Sequence, residues 1–394
     1  MIKRITIKNI NSIDNSTIDF VKGRYDYHSD MVYKDTLVSP VAMYGYNGTG
    51  KSSFVNALFT FSSLLLDDVD KQKNFFVNYN TINKMFDNNE NIDIKRFEVR
   101  KKYLSSSFEI QFTLPEDNTK IYTYFLSTIS PEDYIIKEYL FFNSNGNKEY
   151  LFSRNINEIK LNGESIKIDP SMFLALRNLS NKISSGNEVL KEIVNVYQYL
   201  SEIVVFDSDS NISAKVLKQK KTVDFLVEQS SDVYNILKKY KHFPKYYLEK
   251  NETLEQVDLQ KKFYTIKIEA NKNEGEFISL PINFISSGML TQSRYLSIVL
   301  NMPEDSFLVI DEIENNLHPS VIKSFIQICN EKNIQLFFTS HNTNILQHLR
   351  PDQVYFAKWC NGTSSYRRLS KIYPNIRQVN NIEKMYLSGY FDEE

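Results

Sequence analysis

Cysteine, glycine, proline and tryptophan are all scarce in this 394-residue chain, at 2, 11, 10 and 1 residues. The two cysteines, Cys329 and Cys360, form no C-x-x-C pair, which argues against a disulfide framework or structural zinc and suits a reducing compartment. No apolar run reaches the roughly 18 residues that span a bilayer. The opening MIKRITIKNINSI mixes charge with isoleucine where a signal peptide would have an apolar core. A cytoplasmic location without membrane contact is therefore expected. Neither charge sign is in excess: 47 Lys and Arg against 48 Asp and Glu give a net charge of −1, so no global field draws the chain onto nucleic acid or anionic lipid. Any such contact must be a local patch.

The apolar fraction of 42% and the charged fraction of 24% are those of an ordinary globular protein, and 27 Phe with 25 Tyr supply a large core. The length fits one large domain with an insertion, or two domains. No repeat of 20 to 50 residues stands out.

Residues 2–8 set Ile5 and Ile7 against Arg4 and Thr6, and 16–21 repeat the period of two, which predicts an opening hairpin turning over Asn9 to Asn15. An apolar run over 37–43, a glycine turn and helical spacing over 52–66 (Phe54, Val55, Leu58, Leu65) give the order strand, turn, helix. From about 94 to 152 five short alternating runs, at 97–103, 108–114, 121–127, 134–142 and 149–152, predict an antiparallel meander. Helical spacing is expected over 171–182, 187–202, 213–228, 230–241 and 246–258, with lysine clusters at Lys218, Lys220 and Lys221 and at Lys238, Lys239, Lys241 and Lys245. Strands and helices then alternate to the end. The division expected is 1–169, 170–260 as a mainly helical insertion, and 261–394.

Four segments carry chemistry. Gly45-Tyr46-Asn47-Gly48-Thr49-Gly50-Lys51-Ser52 fits G-x-x-x-x-G-K-[ST] without substitution, between a strand and a helix as the motif requires. Glycines let backbone N–H groups approach a phosphate chain, the helix end and Lys51 supply positive charge, and Ser52 offers a hydroxyl to Mg²⁺. Gly45, Asn47, Gly48, Thr49, Gly50, Lys51, Ser52 and Ser53 are the nucleotide-binding candidates. Next, Phe307-Leu308-Val309-Ile310 ends in Asp311 and Glu312: a buried parallel strand opening onto a ligand crevice, with Asp311 for the metal and Glu312 to orient or deprotonate the attacking water. Alone, that run would read as a strand leaving the core. His341, at the end of the strand expected over 334–339, is placed to bond the γ-phosphate or the water; a surface or capping histidine is the plainer alternative. Ser286, Ser287 and Gly288 stand at a helix start, as an anion site or as an ordinary N-cap.

Together these segments resemble the ABC-class ATPases of the SMC and RecF type, in which nucleotide is sandwiched between the P-loop of one subunit and the signature Ser-Gly of another. The resemblance makes Gly45–Ser52 the Walker A segment, Asp311 and Glu312 Walker B, His341 the switch histidine and Ser286–Gly288 the signature. The run Asp311-Glu312-Ile313-Glu314-Asn315-Asn316-Leu317-His318-Pro319, the meander 109–152 and the tail Ile376 to Gly389 look like the OLD-like, RloA-like branch found in bacterial and phage-borne defence loci. The fold implied is α/β: a P-loop ABC-type ATPase head with an N-terminal antiparallel β-subdomain and a mainly helical insertion. This sequence departs from the family at Ile285, Met289 and Leu290 around the signature, and at Ile10 and Asn11 where Phe and Arg are common. No Q-loop glutamine stands out, Gln111 being a strand residue.

The resemblance implies an ATPase using ATP and Mg²⁺, a homodimer or higher oligomer, and a role in anti-phage defence. There it would answer a phage-derived trigger protein and control a separately encoded effector such as a TOPRIM-type nuclease or toxin. The 75 residues after Pro319 are too few for the TOPRIM domain that OLD-type proteins carry. The competing reading is a RecF-like DNA maintenance ATPase, whose DNA track would be Arg96, Arg100, Lys101, Lys102 and the Lys218–Lys221 cluster. A catalytically idle scaffold is disfavoured by Lys51, Asp311 and Glu312. A hairpin of about 90 helical residues reaches only about 65 Å at roughly 1.5 Å per residue, too short for chromosome-scale tethering.

Overall fold

A computed structural model describes the chain except for residues 67–104, 130–133, 145, 162, 169–173, 183–186, 210, 218–221, 241–242, 252–262, 270–275, 361, 379 and 392–394. Strands β1 (Ile2–Ile10) and β2 (Ile13–Asp19) form the expected hairpin with Ile5 opposite Ile18. Its turn is tighter than the stretch 9–15, because Asn9 and Asn11 take φ of 52° and 51°, a region asparagine tolerates. β3 (Val32–Tyr33) and β4 (Leu37–Val38) pair as a ribbon, and β5 (Val41–Tyr44) follows. The single run 37–43 is thus two strands, divided at Ser39–Pro40, where proline offers no N–H to a ladder.

Helix α1 spans Lys51–Leu66. The meander comprises β6 (Ser105–Leu114), β7 (Asp117–Ile129), β8 (Tyr134–Ser144), β9 (Asn147–Asn155), β10 (Glu158–Leu161) and β11 (Glu164–Lys167), the last two beyond the runs expected. The strand expected over 97–103 lies outside the described residues.

Over 170–260 the helices are α2 (Ala175–Ser180), α3 (Glu188–Ser201), α4 (Thr222–Glu228) and α5 (Ser230–Lys239). This stretch also gives the large sheet β12 (Val204–Phe206) and β13 (Ile212–Ser213). The helix expected over 246–258 is corrected: Tyr246–Asn251 is strand β14, paired with β15 (Phe263–Glu269), which pairs in turn with β16 (Phe277–Pro281). Tyr246 and Leu248 are buried while Tyr247 and Glu249 are not, a period of two that favours a strand. Then come α6 (Ser287–Asn301), β17 (Phe307–Ile310), α7 (Pro319–Glu331), β18 (Gln335–Thr339), β19 (Val354–Cys360), β20 (Thr363–Arg368), α8 (Leu369–Ile372) and α9 (Ile382–Leu387).

Among the described residues fifteen strands form one sheet in the order β11-β10-β9-β8-β7-β6-β1-β2-β20-β19-β5-β18-β17-β12-β13. The run β19-β5-β18-β17-β12 is parallel and the limb from β2 to β11 antiparallel. The parallel strands are apolar at nearly every position because both faces are covered. Val41, Met43, Val309 and Phe337 pack with Phe54 and Leu58 of α1. Ala42, Tyr44, Leu308 and Phe338 pack on the other face with Leu296 of α6 and Phe325 of α7. Each fully buried aromatic or branched side chain contributes about 1.5–3 kcal/mol, so this core fixes the strand ends rigidly. Those ends present Gly45, Asp207, Asp311 and Ser340 at one rim, where ligands of parallel sheets bind. Among the described residues no helix is long and apolar enough to cross a membrane.

Candidate functional site

The turn from β5 into α1 is the expected P-loop. Lys51 is buried at 5% exposure, and its Nζ donates to the carbonyls of Gly45 (2.8 Å) and Tyr46 (3.2 Å). Burial lowers its pKa, opposed by the negative charges of Asp311, Glu312 and Glu314. The ammonium is therefore folded onto the loop it would leave to meet a phosphate. Gly50 is fixed by conformation and by space: its φ is +89°, and a Cβ would fall 1.9 Å from Ser364 Oγ. Tyr366 OH donates to its carbonyl at 2.6 Å.

Thr49 Oγ1 donates to Tyr46 O (2.8 Å) and staples the loop, whereas Tyr46, Asn47 and Gly48 are exposed at its tip. Ser53 Oγ accepts from the Ser12 hydroxyl at 2.8 Å, which ties the start of α1 to the first hairpin turn.

Across the sheet, Asp311 follows β17 and is 2% exposed. Its Oδ1 accepts from the Thr339 hydroxyl, while Oδ2 is buried with no hydrogen-bond partner. Burial pushes the carboxyl pKa up; the hydroxyls of Thr339 and Ser52 beside it pull the other way. A buried carboxylate oxygen left bare costs on the order of 1–3 kcal/mol unless something fills it. A divalent cation held by Asp311 and Ser52 fits that vacancy in the bonding, since Mg²⁺ takes oxygen ligands from few side chains. Such an ion, when bound, neutralises charge on the outer phosphates.

Glu312 takes φ 48°, donates its N–H to Thr339 Oγ1 (2.8 Å) and accepts from Asn315 Nδ2 (2.9 Å). Thr339 thus serves both carboxylate residues. His341 is exposed, and its backbone N–H donates to a Glu314 carboxylate oxygen. Ser286 caps α6, its Oγ accepting from Met289 N–H at 3.2 Å; this satisfies the plainer N-cap alternative. Ser287 is exposed, and a Cβ on Gly288 would lie 2.6 Å from Asn316 O, so α6 starts directly against the turn after Walker B. Among the described residues no hydrogen bond joins Ser286, Ser287 or Gly288 to the P-loop of the same chain. The fold thus gathers Lys51, Ser52, Asp311, Glu312 and His341 on one rim and leaves the signature residues apart from them in bonding.

Sequence reasoning gave no site role to Thr339, Glu314, Asn315 or Asp207. Asp207 follows the short apolar run 203–206 and lines a shallow pocket with Arg294, Asp311 and Asn315. The signal that marked Asp311, an apolar run ending in an acid, is present there too. Gln111 sits far along the antiparallel limb on β6, with Glu109 as its side-chain partner. Arg96, Arg100, Lys101, Lys102 and Lys218–Lys221 lie outside the described residues.

Residues 41–347 match the family described as "AAA domain, putative AbiEii toxin, Type IV TA system". No curated protein matches the sequence. Among solved structures the chain is similar to the SMC head domain from Thermotoga maritima, with 15% identity, 93% of this chain and 98% of that one covered, and a TM-score of 0.43. It is also similar to an Smc head bound to the C-winged helix domain of ScpA (14%, 95% and 99%, 0.44). A third is the Pyrococcus furiosus Smc head with an extended coiled coil, bound to the C-terminal domain of ScpA (12%, 100% and 99%, 0.41).

Proposed function

This chain belongs to the AAA-domain family matched over residues 41–347, and from that premise we propose that it is an ABC-class ATPase that hydrolyses ATP to control a separately encoded effector in anti-phage defence. The observation that carries the catalytic part is the bare, buried Oδ2 of Asp311 at the rim it shares with Lys51. Lys51 and the amides of Gly48, Gly50 and Ser52 bind and orient the phosphate chain. Ser52 and Asp311 would hold Mg²⁺, which would supply charge neutralisation at the outer phosphates. Glu312, pinned by Thr339 and Asn315, orients and deprotonates the attacking water, and His341 bonds the γ-phosphate side.

The signature residues Ser286, Ser287 and Gly288 complete the site of a second copy of the chain. The exposure of Ser286 and Ser287, and the absence among the described residues of a hydrogen bond from the three to their own P-loop, support this pairing. A nucleotide shared by two copies links phosphate state to oligomer geometry, which is what a switch needs. The family's description, a putative AbiEii toxin of a type IV toxin–antitoxin system, supports a toxin–antitoxin-like setting; the separate effector and the phage-derived trigger belong to the proposal itself.

ATP turnover of the purified protein tests the reading. Glu312→Gln is expected to keep ATP binding and lose at least about a hundredfold in turnover, the scale of removing one preorganised catalytic group. Lys51→Ala is expected to lose binding as well. Unchanged turnover in Glu312→Gln would refute the assignment. Toxicity of the chain expressed without its genomic neighbours would refute the separate effector.

A further inference from the structure

Glu314 lies in the turn after the Asp311–Glu312 pair and has no role in the phosphate chemistry assigned above. That turn bends sharply, with Glu312 at φ 48° and Asn316 at φ 61°. Asparagine tolerates that region, but a glutamate stays there only where its surroundings enforce it. Here Glu312 and Ile313 donate their N–H groups to Oγ1 and O of Thr339 at 2.8 and 3.1 Å, and Asn315 and Leu317 close on the carbonyls of Glu312 and Glu314.

The bend carries the Glu314 side chain to the end of β18, where Oε1 accepts the His341 backbone N–H. Its other oxygen, Oε2, is buried and without a partner. One residue on, the carbonyl of Asn342 accepts from Tyr44 OH at 3.1 Å, so the segment is bracketed by β5 on one side and the Walker B turn on the other. The His341 side chain is exposed, and among the described residues its backbone N–H, not its ring, is what Glu314 holds. A charged acceptor holds that backbone more strongly than a neutral one would.

We infer that Glu314 is a positioning residue: it ties the backbone of His341 to the Asp311–Glu312 turn, so that imidazole and carboxylates keep one geometry. The inference rests on the proposed hydrolytic site.

Three readouts test it: amide exchange of the segment 340–343 in the nucleotide-free protein, ATP affinity, and turnover. Glu314→Ala is expected to lose the exchange protection and about a hundredfold in turnover, the size of a small misplacement of a catalytic group, with ATP affinity changed less than about twofold. His341→Ala should lose a similar factor, and the double variant no more than the worse single one, because both remove the same interaction. Glu314→Gln, whose amide oxygen still accepts the N–H, should keep the protection and regain at least about tenfold of the lost turnover. Losses that multiply in the double variant, or unaltered exchange in Glu314→Ala, would overturn the inference. If Glu312→Gln leaves turnover intact, the hydrolytic reading fails instead, and the exchange measurement still decides whether the tether exists.

Discussion

In the antiparallel limb the buried carboxylate of Glu138 has both oxygens satisfied. Oε1 accepts from Tyr124 OH (2.9 Å) and Leu176 N–H (2.8 Å), and Oε2 from Ala175 N–H (2.6 Å), with Arg154 3.5 Å away. In the parallel core the buried carboxylate of Asp311 has one oxygen on Thr339 and the other on nothing, and Glu314 behind it repeats the pattern. Both limbs pay for desolvating an acid; only one is compensated within the chain. Glu138 joins the start of α2 to β8 and is spent on structure. Asp311 and Glu314 keep acceptors in hand, as groups do that meet a ligand or move with one.

The sharpest way to break this comparison is to delete each acid. Glu138→Ala takes their acceptor from the Ala175 and Leu176 N–H groups and the Tyr124 hydroxyl, all buried, and a stability loss of about 3–5 kcal/mol is expected in chemical denaturation. ATP affinity of the folded fraction should be unchanged, since Glu138 touches no site residue.

Asp311→Asn should act in the opposite direction. The amide still accepts from Thr339 and sheds a desolvated charge, so stability at neutral pH is expected to rise by about 1 kcal/mol while Mg²⁺-dependent turnover is lost. The sign follows from the raised pKa of Asp311. A carboxyl that binds its proton more tightly when folded supplies stability below its ordinary pKa and loses it as pH rises through the folded value. The gap between variant and parent should therefore close as the pH falls towards about 4. Melting curves from pH 4 to 8 check both size and direction; a destabilised Asp311→Asn would mean that the carboxylate is satisfied after all.

The smallest effect belongs to the outer face of the meander. There Tyr150, half exposed, sits 5.4 Å from Phe141 with Lys148 over its ring at 4.7 Å. Tyr150→Ser should cost no more than about 1 kcal/mol, because an exposed cation–π contact is worth about 0.5–1, and should leave ATP turnover alone.

The same contrast decides what the sequence could reveal. The P-loop and the Asp311–Glu312 pair were legible because their chemistry needs fixed residue types in adjacent positions, and the hairpin and meander because one covered face writes a period of two. Strand β12 was not legible: three residues buried on both sides look like the end of the preceding helix, and only Asp207 marks the rim. Strand β14 was misread as helix because Tyr246-Tyr247-Leu248 is apolar throughout, and burial alone separates its two faces. The roles of Thr339, Glu314 and Asn315 were not legible because they depend on a turn that folds back onto the neighbouring strand. No local spacing encodes that contact.

That the signature residues serve another copy of the chain is the central claim, and the mass of Glu312→Gln with and without ATP and Mg²⁺ tests it most directly. Mass photometry should show the species doubling in mass when nucleotide is added, and Ser287→Arg in the same background should prevent it without abolishing ATP binding. A Glu312→Gln protein that binds ATP and keeps one mass throughout would contradict the shared site.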